Sequence, residues 1–202
     1  MASPFGDASY PPLAATRFLV NRGVVNGLVG TDDNVDPFDL YCYGPPQDAP
    51  ASAFIAEIES ARRTGKWRIM LIHGFEGSSD GAYLPVKIAD FLAAMNHAKS
   101  LGDVWIDSMV NVAAYWRGQR VLASAIPNHS SAGNTWTWTL PTNFPPHRYL
   151  RVKVEGGTLF QNGKPIAWNL AGGYQNPIEK VLELHLATVE ECIGALEEGE
   201  TP

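Results

Sequence analysis

The chain lacks the features that mark disulfide scaffolds and membrane proteins. Its 202 residues include only two cysteines, Cys42 and Cys192, which lie far apart in sequence. They predict no metal site, and they can form a disulfide only if the fold brings their Cα atoms within about 7 Å. No apolar run approaches the roughly 18 residues that a membrane span needs. The first residues carry neither the basic nor the apolar region of a signal peptide, so none is predicted, and the compartment is left open.

Positive charge is also scarce. Lys and Arg number 15 against 21 Asp and Glu, which gives a formal net charge of -6. The basic residues are not clustered, so the sequence predicts neither a nucleic-acid partner nor binding to an anionic membrane surface. A hydrophobic fraction of 45% with 18% charged residues is typical of a globular protein with a core.

The most informative segment is an apolar run that ends on a histidine. Ile69 to Ile72 are four consecutive apolar residues, and His73-Gly74 follows them. A run without polar alternation predicts a strand covered on both faces, as in a parallel sheet. Because active sites of α/β folds lie at the carboxyl ends of such strands, His73 is a candidate catalytic residue. The alternative is a buried, hydrogen-bonded histidine of the core.

The flanking patterns predict an α/β order of elements. Helical spacing of apolar residues predicts a helix that ends at Gly65, a second that begins near Pro85, and a third capped by Asp107 or Ser108. The segment Val104–Ile106 reads as another short strand between the last two helices. Upstream, the pattern predicts a short helix over Leu13 to Arg22 and a long loop from Gly30 to Pro50.

The composition and hydrophobic pattern of the sequence change after Leu122. Ala123 to Asn134 reads as a linker, and the part beyond it is β-rich, with a hairpin expected at Asn162-Gly163. We therefore expect an α/β domain over residues 1–122, a small β-rich domain over 134–190 and a tail over 191–202. Period-two alternation predicts strands over Trp136–Leu140 and Tyr149–Val154, and Val181–Leu186 fits a strand or a helix.

An apolar strand followed by His-Gly indicates two enzyme classes. One is the α/β-hydrolase esterase, and a literal G-x-S-x-G occurs as Gly77–Gly81. However, a nucleophile elbow lies directly between a strand and a helix, whereas Ser79 falls in a glycine-rich loop. We therefore interpret Ser79 as a loop residue.

The second class is the metal-dependent polysaccharide deacetylase. The segment from Gly65 to Gly74 resembles the last motif of that family, the carbohydrate esterases of the nodulation-protein type. Ser3–Asp7 resembles the family's middle motif. The resemblance covers roughly Ser3 to Arg120, the C-terminal portion of such a domain. Further similar segments are Arg22–Val24, Asp36–Leu40, Tyr83, Gly102–Ile106 and Val112–Tyr115.

This resemblance implies an α/β fold, an incomplete (β/α) barrel followed by the small β-rich domain. It also implies hydrolysis of the carbon–nitrogen bond of an N-acetylated polysaccharide, with a divalent metal such as zinc polarising the amide carbonyl and activating water. By resemblance, His73 donates a proton to the leaving amine, Leu71 walls the acetyl pocket, and Pro4 and Phe5 line the substrate groove.

The family's metal ligands have no counterpart here. Neither a Thr-Phe-Asp-Asp motif nor a His-x-x-x-His motif occurs, and Thr31-Asp32-Asp33 reads as a solvated turn in a loop. We therefore expect this chain to bind no metal and to be inactive or incomplete as a deacetylase. The alternative from another class is a non-catalytic glycan-binding or scaffold module. Trp136 and Trp138 are its candidate sugar-stacking residues, although such pairs more often belong to a sheet core.

Overall fold

The structure is a computed structural model, which describes residues 1–79, 81–148, 160–161 and 164–165. The chain forms two compact units, Met1–Leu150 and Arg151–Pro202, so the expected linker lies within the first. Among the described residues, no helix is both long enough and apolar enough to cross a membrane. The expected strand over Tyr149–Val154, the ambiguous segment at Val181–Leu186 and Cys192 lie outside the described residues.

The first unit contains four helices and four strands among its described residues. A 3-10 turn, Pro4–Gly6, precedes the first helix. The helices are α1 (Tyr10–Ala15), α2 (Ala51–Thr64), α3 (Ile88–Leu101) and α4 (Met109–Ser124). The strands are β1 (Arg22–Asn26), β2 (Leu40–Cys42), β3 (Pro127–Ser130) and β4 (Gly133–Trp136).

The ends of α2 and α3 and the start of α4 fall where the sequence signals predict. Gly65 and Gly102 follow α2 and α3 with left-handed φ of 63° and 73°, a conformation that glycine adopts without the Cβ penalty. Ser108 is the N-cap position of α4. Helix α3 begins at Ile88, slightly after the Pro85 that suggested it.

The first part of the first unit contains parallel backbone pairings whose neighbours follow chain order, separate from the antiparallel β3–β4 sheet. Residues 1–3 pair with Arg22 at the start of β1, and β1 pairs with β2. Tyr43, just after β2, then donates to the Ile69 carbonyl and accepts from the Leu71 amide, both at 2.8 Å. The carboxyl ends of these segments therefore share one edge of the sheet. The described strands do not close into a barrel.

The segment from Ile69 to Ile72 is covered on both faces, as its unbroken apolar run predicts. Ile69 and Leu71 pack with the core beneath α4, which includes Trp116. Met70 and Ile72 pack with the opposite core, formed largely by α2 and α3. Successive side chains of an extended segment point to opposite faces, so the helices lie in two layers around this segment. This layering places His73 at the end of a covered extended segment, which bridges Tyr43 at Met70 but forms no assigned strand.

Several local predictions are wrong. Ile69–Ile72 is extended and bridges Tyr43 at Met70, but it is not an assigned strand. The segment predicted as a helix over Leu13 to Arg22 instead contains the end of α1 and the start of β1, because Arg22 pairs with residues 1–3 and with Leu40. The predicted loop from Gly30 to Pro50 contains β2. The segment Val104–Ile106 forms no strand; Val104 packs with the core of α2 and α3, but the segment makes no ladder with a described residue.

The segment predicted as a linker contains most of a hairpin, in which β3 and β4 pair antiparallel. Pro127 lies opposite Trp136 at one end of this pairing, and Ser130 lies opposite Gly133 at the other. Trp136 and Trp138 are 41% and 45% exposed, so their interpretation as sheet core is wrong. Only β4 continues to Trp136; residues 137–140 form no strand. In the second unit, β5 (Phe160–Gln161) and β6 (Lys164–Pro165) pair antiparallel, as the hairpin signal between them predicts.

Candidate functional site

His73 lies at the carboxyl end of the covered segment, and its side chain is exposed. No residue of the described ranges 1–79 and 81–148 forms a hydrogen bond with its imidazole, whose one ring contact is with Tyr83. The two ring centroids are 5.3 Å apart, and the planes are nearly perpendicular at 87°. The histidine is therefore not a satisfied core residue, and its ring is accessible to a ligand.

Leu71 supports this end of the segment. Its backbone amide donates to the Tyr43 carbonyl at 2.8 Å, and its side chain is half-buried against the core beneath α4. A Cβ built on Gly44 would lie 3.5 Å from a Leu71 methyl group, so the leucine also borders the loop that follows β2. Leu71 thus lies one pleat below His73 and on the same side of the segment.

Pro4 and Phe5 lie at the same edge of the sheet but at some distance from His73. They directly follow the edge segment of residues 1–3, and both side chains are exposed. Two strands, β1 and β2, intervene, which corresponds to about 14 Å at the usual strand spacing. The predicted groove residues therefore share an edge with His73, and no contact joins the two groups.

Phe5 has an unusual backbone. Its φ is 53° and its side chain is fully exposed, a combination that no core packing explains. The next residue, Gly6, is also at positive φ, and a Cβ there would lie 2.5 Å from a Val24 methyl group. Strained backbone at an exposed aromatic residue is more common at functional sites than elsewhere, and it keeps Phe5 among the candidates.

A buried arginine at the start of the covered segment was missed by the sequence reasoning. The Arg68 side chain is only 9% exposed. It forms an ion pair with Glu57 of α2, donates to Asn26 Oδ1 at 3.0 Å, and lies over the Tyr43 ring at 5.9 Å. Burial, followed by the Glu57 charge, raises the pKa of Tyr43 above its usual value. The signal in the sequence was a lone charge at the start of an apolar strand.

The described residues do not fit a catalytic metal. Within the described ranges, no three His, Cys, Asp or Glu side chains converge in a way that would hold a cation. Asp33, in the loop that superficially echoes the family's first motif, is already bonded to Lys66 Nζ at 2.8 and 2.9 Å and to the Gly30 amide at 2.9 Å. It therefore fastens the loop to the start of the covered segment, which a solvated turn would not do.

The G-x-S-x-G sequence is not a nucleophile elbow in the structure. Gly77 to Ser79 and Gly81 lie outside helices and strands, and α3 begins only at Ile88. Ser79 is exposed and is not held between a strand and a helix. This placement removes the geometric basis for an α/β-hydrolase esterase.

Comparisons with protein families, with curated proteins and with solved structures find no match to this chain.

Proposed function

We propose that this chain is the C-terminal portion of a polysaccharide-deacetylase-type hydrolase, with the incomplete-barrel fold of that family, and that His73 is its proton donor. The observation that carries the proposal is an exposed imidazole at the carboxyl end of an extended segment whose side chains are covered on both faces. The substrate is an N-acetylated glycan. Water adds to the acetyl carbon and releases its protons to solvent, the carbon–nitrogen bond breaks, and His73 gives its proton to the departing nitrogen and regains one from solvent, leaving acetate and a free amine.

We expect the chain by itself to bind the glycan but to hydrolyse it little or not at all. Among the described residues, no three His, Cys, Asp or Glu side chains come together in a way that could hold a metal ion, and the deacetylases that this chain resembles depend on such an ion. We expect little or no acetate release from N-acetylated chitooligosaccharides, with or without added zinc. Tight zinc binding accompanied by turnover would contradict this part of the proposal.

A direct test follows the imidazole protons of the histidines by NMR while N-acetylated chitooligosaccharide is added. We expect the His73 signals to shift, and we expect the fully deacetylated oligosaccharide to shift them much less. His73→Gln assigns those signals. His147→Gln is the matched control, because His147 is also exposed but lies after α4, outside the segments that carry the candidate site. Unchanged His73 signals, or equal shifts with both sugars, would contradict the proposal.

A non-catalytic glycan-binding module is the second candidate, because Trp136 and Trp138 are both exposed. Exposed indole rings are suited to stacking on sugars. If Trp136→Ala and Trp138→Ala abolish retention on the glycan while His73→Gln leaves it unchanged, the binding module is favoured and the deacetylase proposal fails.

A further inference from the structure

A loop next to the candidate site is held tightly at its base. Glu76 donates its amide to the Val86 carbonyl at 3.0 Å, and the Val86 amide donates to the Gly74 carbonyl at 3.1 Å. Val86 is fully buried, and Phe75 packs at 5.8 Å against Phe91 of α3. The loop between Glu76 and Val86 therefore starts and ends at fixed points beside His73.

Tyr83 extends from this loop to His73. Its side chain is 69% exposed, so burial of apolar surface does not explain its position. Its ring meets the imidazole nearly perpendicularly, with centroids 5.3 Å apart. This is a favourable edge-to-face arrangement for two aromatic rings.

The backbone beside Tyr83 is strained. Leu84, a bulky residue, has a φ of 45°, in a region that residues other than Gly, Asn and Asp rarely occupy. A strained residue persists only where the surrounding structure imposes it. Here it lies between the tyrosine that contacts the histidine and the buried Val86 that closes the loop.

We propose that Tyr83 is a positioning residue that holds the exposed His73 imidazole in one orientation. A proton-transferring histidine is commonly oriented by a hydrogen bond to its second ring nitrogen. No described residue provides such a bond here, and the Tyr83 ring takes over that role. The inference rests on the proposed function, because an oriented imidazole matters only if His73 acts on a ligand.

The contact is tested first without any ligand. In the full chain, the tyrosine ring current displaces the His73 imidazole proton signals from those of the exposed His147. We expect Tyr83→Leu to abolish this displacement and Tyr83→Phe to retain it, because only the aromatic ring is needed. Phe5→Leu is the matched control, since it removes an exposed aromatic residue from the same sheet edge and should leave the signals unchanged. Identical His73 signals in the wild type and in Tyr83→Leu would overturn the proposal.

The second measurement is the affinity for N-acetylated chitooligosaccharide. We expect Tyr83→Leu to weaken binding about 2- to 10-fold and Tyr83→Phe to restore it. Unchanged affinity in Tyr83→Leu would overturn the positioning role even if the ring contact exists. If the ring contact behaves as expected but the sugar does not bind near His73, the proposed function fails while the contact between the two rings is established.

Discussion

Trp116 gives the sharpest test of how α4 is held against the sheet. Its side chain is 3% exposed, and its indole nitrogen donates to the Gly30 carbonyl at 2.8 Å. One side of the ring faces Trp67 at 6.4 Å, and the Arg120 guanidinium lies 4.8 Å from its centre. The substitution Trp116→Phe keeps an aromatic ring in this place but removes the donor.

The expected cost has two parts. The buried Gly30 carbonyl loses its partner, which costs about 1–3 kcal/mol. The smaller ring also leaves unfilled space, at about 0.8 kcal/mol for each lost methylene equivalent, or roughly 1–2 kcal/mol in total. We therefore expect Trp116→Phe to lower the free energy of unfolding of the first unit by about 3 kcal/mol. At a typical urea dependence of about 2 kcal/mol per molar, the midpoint falls by roughly 1.5 M.

The assay is urea unfolding followed by circular dichroism at a helix-sensitive wavelength. Trp105→Phe is the matched control, because Trp105 is 54% exposed and its indole donates to the exposed Asp107 at 3.3 Å. It also removes one of the six tryptophans, yet its cost should stay within about 0.5 kcal/mol. A cost below about 1 kcal/mol for Trp116→Phe, or equal costs for the two variants, would refute the packing argument.

Two further predictions concern a loop anchor and a helix end. The hydrogen bond from the Lys66 side chain holds the pKa of the Asp33 carboxyl below its usual value. The ionised carboxylate therefore stabilises the folded state fully at pH values above its unfolded pKa of about 3.9. This stabilisation is lost as the pH falls through the lower pKa of the folded state. Asp33→Asn should consequently be less stable than wild type near neutral pH, with a gap in unfolding free energy that closes in acid; a gap independent of pH would contradict this. Gly65→Ala should cost about 1 kcal/mol in thermal or urea unfolding, because φ is 63° although no atom lies within 4 Å of the added Cβ. Gly65→Asn should cost less, and equal losses would point to a cause other than the backbone.

The candidate site was predictable only in part from the sequence. The apolar run before His73 predicts a strand; the structure has an extended, covered segment there instead, and it exposes the histidine at its end. The contact with Tyr83 depends on a loop closed by backbone bonds at Val86, and no local pattern specifies such closure. The Arg68 network likewise joins β1, α2 and the covered segment, and its partners lie too far apart in sequence for spacing to indicate them.

Local signals in the sequence were sufficient for α2, α3 and α4, because periodic apolar residues and terminal glycines act within a few residues of one another. They were also sufficient for the β5–β6 pairing, which a two-residue turn between the strands favours. Tertiary structure alone decided that β2 interrupts a loop-like segment and that Val104–Ile106 pairs with none of the described residues. It also decided that Trp136 and Trp138 are exposed. The physical reason is that a short strand is stabilised by the strands that pair with it, and the exposure of a side chain depends on which parts of the chain pack over it. Neither is determined by the residues next to it in sequence.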